Sequence, residues 1–127
     1  MKIKLTSVMV DDQQKALKFY TEKLGFVKSK DIPVGDFSWL TVVSPESDCD
    51  VELLLEPNNN PASLEYQKKL FEQGIPESAF AVDDIQKEFE TLKNKGVEFV
   101  TNPTPMGTAI IAVFNDTCGN LIQIYQE

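Results

Sequence analysis

Hydrophobic and polar residues follow two periods along this chain, and the switches between them mark its elements. From Lys2 to Val10 the period is two. Ile3, Leu5, Ser7 and Met9 share one face, and Lys4, Thr6, Val8 and Val10 the other, which predicts a strand with apolar positions on both sides. After Asp11 and Asp12 the spacing becomes helical, with Leu17, Tyr20 and Leu24 as the buried stripe and Ala16 and Phe19 beside it. Asp11 or Asp12 caps this helix and Gly25 ends it. Phe26 to Lys30 reads as a short strand and Pro33-Val34-Gly35-Asp36 as a turn. Phe37 to Val43 is strongly β-prone, Ser44 to Asp50 is a polar loop, and Val51 to Glu56 is a strand. The order is β-α-β-β-β.

That order returns. Val10 to Lys23 aligns with Val82 to Lys95 at an offset of 82 − 10 = 72 residues, and six of the fourteen pairs are identical. A repeat of this length in a chain of 127 residues means two copies of one supersecondary unit. In the second copy Ile75 to Val82 is a strand, and Asp84 to Asn94 is a helix burying Ile85, Phe89 and Leu92. Val97 to Thr101, Thr108 to Phe114 and Asn120 to Gln126 are strands, with a loop at 102–107. Between the copies, Asn60-Pro61 looks like an N-cap with proline at the first helical position. The short helix that follows carries Leu64, Lys68, Leu70 and Phe71 and stops at Gly74.

Four strands and one crossover helix make a curved, mixed sheet whose helix covers the outer face. The expected fold is therefore α+β, with two βαβββ modules whose inner faces enclose a cleft. Residues 1–127 form one domain, with modules at 1–56 and 75–127 and a linker and helix at 57–74. Concave, partly apolar spaces of this kind take small ligands.

Charge and composition narrow the chemistry. The net charge of −8 opposes phosphate backbones and anionic membrane surfaces, so neither nucleic acid nor a membrane is expected as a partner. A cationic small ligand is compatible with it. No apolar run approaches a membrane span, and the first residues lack a signal peptide's apolar core; the expected address is the cytoplasm. The chain has no histidine and no arginine. Histidine triads and histidine-bearing zinc motifs are excluded, and so is the bidentate guanidinium grip on carboxylate or phosphate. Cys49 and Cys118 are the only cysteines, and free thiols are expected in a reducing compartment.

The pattern resembles the vicinal-oxygen-chelate superfamily, which includes glyoxalase I, extradiol dioxygenases, and fosfomycin- and bleomycin-resistance proteins. The residues that carry the resemblance are Val10-Asp11-Asp12, then Ala16-Leu17-Lys18-Phe19-Tyr20 and Leu24-Gly25-Phe26, and finally Phe114 to Ile124 around Asp116 and Gly119. A homodimer is implied by the resemblance. It also implies metal ligands on the first and last strands of each module, here Leu5, Glu52, a position near Glu77, and Gln123. The repeat supports this spacing: Leu5 and Glu77 are 72 apart, and Glu52 and Gln123 are 71 apart.

Leucine cannot ligate a metal and a neutral amide is a poor ligand for zinc or iron. A dioxygenase iron site cannot be assembled, and no cofactor is expected beyond a divalent cation held weakly by Glu52, Glu77 and water. Glu52 and Glu77 are nevertheless the candidates for catalysis: brought together, one carboxylate would be raised in pKa and the two would form an acid/base pair. Glu52, Glu77, Gln123, Trp39 and Tyr125 are the candidate ligand-binding residues, with both aromatics able to stack on a ligand or to pack in the core. For Trp39 core packing is favoured. Two functions follow. One is a metal-free, bleomycin-resistance-like protein that binds a small molecule in the cleft. The other is a glyoxalase-like lyase or isomerase, using a divalent metal or carboxylate acid/base chemistry.

Overall fold

Asp12 and Asp84 each convert a strand into a helix, and one compact unit is built around each. The computed structural model describes residues 1–45 and 50–127. Cys49 and the middle of the Ser44 to Asp50 loop lie outside the described residues. The units are Met1–Glu65 and Tyr66–Glu127.

In the first unit, β1 (Leu5–Val10) leads into α1 (Gln13–Lys18), which continues as a π-helical turn over Phe19–Lys23. The cap is Asp12, whose carboxylate accepts from the N–H groups of Gln14 and Lys15, each at 3.0 Å. Asp11 instead pairs with Lys15 at 2.9 Å. Strands β2 (Val27–Val34), β3 (Phe37–Val43) and β4 (Glu52–Pro57) complete a four-stranded sheet in the order β1-β4-β3-β2. β1 runs parallel to β4, and the other pairs are antiparallel.

Val8, Val10, Leu40, Val42, Leu53 and Leu55 are buried and share the sheet face that meets α1. Gln13 fastens the helix to this sheet. Its amide donates to the carbonyls of Ser38 and Leu55, each at 2.8 Å, and accepts from the Ser38 N–H at 3.0 Å.

Two expectations change here. Ala16, Phe19 and Tyr20 are the buried positions, while Leu17 and Leu24 are only half-buried. The Leu24 N–H reaches the Phe19 carbonyl at 3.3 Å; this i→i+5 closure widens the last turn and swings neighbouring aromatics onto the same face. Pro33 and Val34 belong to β2 rather than to the turn, which is only Gly35-Asp36. Proline is tolerated there because β2 is an edge strand with no ladder bond to lose on its outer side.

In the second unit, β5 (Ser78–Ala81), α3 (Ile85–Asn94), β6 (Glu98–Met106), β7 (Ala109–Asn115) and β8 (Leu121–Gln126) repeat the plan in the order β5-β8-β7-β6. Asp84 caps α3 by accepting from the Lys87 N–H at 3.1 Å. Ile85, Phe89 and Leu92 are buried, as are Ala112, Phe114, Ile122 and Ile124. Phe99 stands between Phe89 and Phe114, with ring centroids 4.6 and 5.6 Å away. The stretch expected as a loop at 102–107 is mostly strand. Register shifts between Phe99 and Thr104 absorb Asn102 and Pro103, as β-bulges do.

The connecting helix is α2 (Pro61–Glu72). Its apolar residues Leu64, Tyr66 and Phe71 are exposed, and its buried residue is Gln67. The Gln67 amide donates to the Cys118 carbonyl and to the Asn120 side chain, both at 3.1 Å. In that β7–β8 turn, one oxygen of buried Asp116 accepts from the N–H groups of Cys118 (2.7 Å) and Asn120 (3.0 Å). Its other oxygen accepts from the Asn120 amide at 2.8 Å. Cys118 is buried.

Candidate functional site

β4 places Glu52 at its first position, opposite Leu5 on β1 and Val43 on β3. Opposed residues point to the same face, so Glu52, Thr41 and Lys30 all stand on the face turned away from α1. A β-bulge at Ser29 breaks the β2–β3 ladder. The Lys30 N–H therefore donates to the Thr41 hydroxyl at 3.1 Å, and that hydroxyl donates to Glu52 Oε1 at 2.7 Å. Lys30 Nζ donates to Glu52 Oε2 at 2.9 Å. Both carboxylate oxygens are thus engaged inside the unit. Hydrogen bonds from Lys30 and then from Thr41 hold the Glu52 pKa down at about 2, against the opposing effect of burial. Glu52 is an anion at any physiological pH, already neutralised by its neighbour.

Glu77 is different. Its N–H donates to the Leu121 carbonyl at 2.9 Å, which seats it just ahead of β5 beside β8. Its Oε2 is buried and has no hydrogen-bond partner among the described residues. Burial alone pushes its pKa upward.

Gln123 lies opposite Ala79 on β5 and Val113 on β7 and is half-buried. The β5–β8 register thus puts Ala79, not Glu77, beside Gln123, with Glu77 two residues earlier. Tyr125 is opposite Ala81 and Ile111. It helps line a depression of about 290 Å³ with Ala81, Val82, Asp83, Gln126 and Glu127. Trp39 is not a core residue. It is 39% exposed and lies opposite Ile32 on the helix-free face, because the alternate positions Leu40 and Val42 are the ones turned to α1.

Lys30 and Thr41 escaped the sequence reading. Lys30 is one of twelve lysines, and nothing local marks it. Only the bulge at Ser29 and the strand register bring it to Glu52.

Residues 2–124 match the sequence model of the glyoxalase/bleomycin resistance protein/dioxygenase superfamily. The chain belongs to this superfamily. Among its relatives, the protein YurT of Bacillus subtilis is 61% identical over 127 residues, covering 100% of both chains. A probable lactoylglutathione lyase of Synechocystis sp. is 31% identical over 126 residues, covering 95% of this chain and 92% of the relative. The crystal structure of TnmS3, an antibiotic binding protein from Streptomyces sp. CB03234, superimposes with a TM-score of 0.76 at 26% identity, covering 99% of this chain and 95% of the other. The α+β architecture of two βαβββ modules is the fold of these superfamily structures.

Proposed function

We propose that this superfamily member binds a small organic molecule on the helix-free faces of its sheets, without a metal, and sequesters it rather than transforming it. The observation that carries this reading is the state of Glu52. The superfamily resemblance assigns that position to a metal ligand, yet both of its oxygens are occupied by Lys30 and Thr41. Its strand neighbour Leu5 offers no donor atom. In the second unit, Gln123 has Ala79 at its side. Among the described residues, no three Asp, Glu, Cys or His side chains come close enough to hold a metal ion. These residues do not fit the metal centre of the superfamily's enzymes. The antibiotic binding protein TnmS3 supports a binding role, as the same fold at comparable size.

A second reading keeps one specific observation in its favour. Glu77 has a buried oxygen without a partner among the described residues and a pKa raised by burial, the direction in which a carboxyl is tuned for acid/base work, and the Synechocystis relative is a probable lactoylglutathione lyase. Homodimeric assembly belongs to the first reading as an expectation of the resemblance, and a cytoplasmic location as an expectation of the sequence; among the described residues no helix is long and apolar enough to cross a membrane.

Calorimetry of the chelator-stripped protein with nickel, manganese, zinc and magnesium separates the readings, together with an assay of lactoylglutathione lyase activity. The expected result is no site-specific binding at micromolar affinity and no turnover. Micromolar binding lost in Glu52→Gln, with turnover, would establish the enzyme instead.

A further inference from the structure

The helix-free face of the first sheet changes character along its length. Lys30 lies opposite Thr41, Ile32 opposite Trp39, and Val34 opposite Phe37, in unbroken register. Their six side chains therefore form three rungs on one face, roughly 7 Å apart along the strands. The last two rungs are apolar and open: Ile32 is 52% exposed, Val34 60%, Phe37 40% and Trp39 39%. Large apolar side chains clustered in the open mark a contact surface rather than a core. An indole and a benzyl ring offer flat faces on which another ring can lie.

The first rung supplies the polarity. Among the described residues, the Lys30 ammonium donates to Glu52, and half of its side chain is exposed. An ammonium has three hydrogens to give, so two remain for a ligand arriving over the aromatic rungs.

Charge then discriminates among ligands. A cation at this spot must dislodge Lys30 from an ion pair 2.9 Å long. An anion reaches Lys30 but meets the ionised Glu52 directly behind it, in a chain of net charge −8. A neutral acceptor incurs neither cost.

We infer that this face takes a neutral, planar aromatic molecule whose carbonyl oxygen accepts a hydrogen bond from Lys30 Nζ while its ring lies over Ile32 and Trp39. The inference rests on the binding reading proposed above and names the chemical class of its ligand. It replaces the cationic ligand suggested by net charge.

Trp39 is the only tryptophan of the chain, so its fluorescence reports directly on this face. Four naphthalenes of similar size serve as probes: 2-acetylnaphthalene, 2-naphthoate, 2-(aminomethyl)naphthalene and 2-ethylnaphthalene. The ketone is expected to quench Trp39 at about tenfold lower concentration than the ethyl compound, the effect of one charge-assisted hydrogen bond. Lys30→Met should erase that advantage and leave 2-ethylnaphthalene unchanged, whereas Lys30→Arg should keep it.

Preference for the ammonium or the naphthoate, or a ketone advantage that survives in Lys30→Met, would overturn the inference. So would the absence of quenching by all four. The ranking on the unmodified protein decides even where Lys30→Met does not fold. A thermal-shift screen judges the binding reading separately. A ligand that stabilises the protein but leaves Trp39 fluorescence untouched, and is indifferent to Lys30→Met, sinks this inference and keeps that reading.

Discussion

Glu77 and Glu52 carry the same side chain and sit in opposite electrostatic settings. Glu52 has an ammonium and a hydroxyl on its two oxygens. Glu77 has a buried oxygen with no partner among the described residues, and burial raises its pKa. The sign of the consequence follows from linkage. Because the folded-state pKa of Glu77 lies above its ordinary value, the folded protein holds this proton more tightly than the unfolded chain. This group's contribution to stability is then fully present below the ordinary carboxyl range and is lost as pH rises through its folded-state pKa. Glu77→Gln removes the ionisation. Its urea midpoint should exceed that of the unmodified protein at pH 7, and the gap should close toward pH 4. Equal midpoints at pH 7 would show that the carboxylate finds a partner in solution. The residues themselves were legible as candidates in the sequence. Their opposite states were not, because the partner of Glu52 lies 22 residues away on another strand.

Among the elements, α2 departs most from its pattern. Its apolar positions suggest an ordinary amphipathic helix, yet the residue it buries is Gln67. That side chain reaches the β7–β8 turn, where Gly119 has a φ of +102° and a Cβ there would meet Gln67 Nε2 at 2.7 Å. Gly119 therefore answers two demands at once: a left-handed backbone, and room for the amide that holds the helix. Gly119→Ala strains the turn and pushes Gln67 off its acceptors. The expected loss is about 1–3 kcal/mol, read as a fall in thermal midpoint with the far-ultraviolet circular dichroism retained. An unchanged midpoint would mean that Gln67 relocates at no cost. The glycine was visible in the sequence as part of the superfamily's closing motif. Its reason was not, since a glutamine 52 residues upstream supplies it.

For the whole molecule, the repeat of βαβββ modules explains why 127 residues hold two sheets. Each module covers one face of its sheet with one helix, α1 or α3, and leaves the other face free of that helix. Leu64, Tyr66, Phe71 and Ile75 are large, apolar and exposed in or next to α2. A homodimer would cover such residues. Sedimentation velocity should give a particle of twice the 14.3 kDa chain mass, and Phe71→Glu should shift it toward the single chain. A single-chain mass for the unmodified protein at tens of micromolar would refute the assembly.

The sequence alone determined the duplicated βαβββ plan, a cap at Asp11 or Asp12, the resemblance to the superfamily, and the absence of histidine and arginine chemistry. The plan, the cap and the excluded chemistry are written in local periodicity or in composition, and the resemblance in short motifs, so none depends on which distant residues meet. Tertiary structure alone decided that Lys30 and Thr41 close Glu52, that Trp39 is open rather than core, that Ala79 and not Glu77 stands beside Gln123, and that Gln67 is the anchor of α2. All four depend on strand register or on a long-range contact. A bulge at one residue, or a shift of two in a pairing, changes them without leaving a mark on the local pattern of the chain.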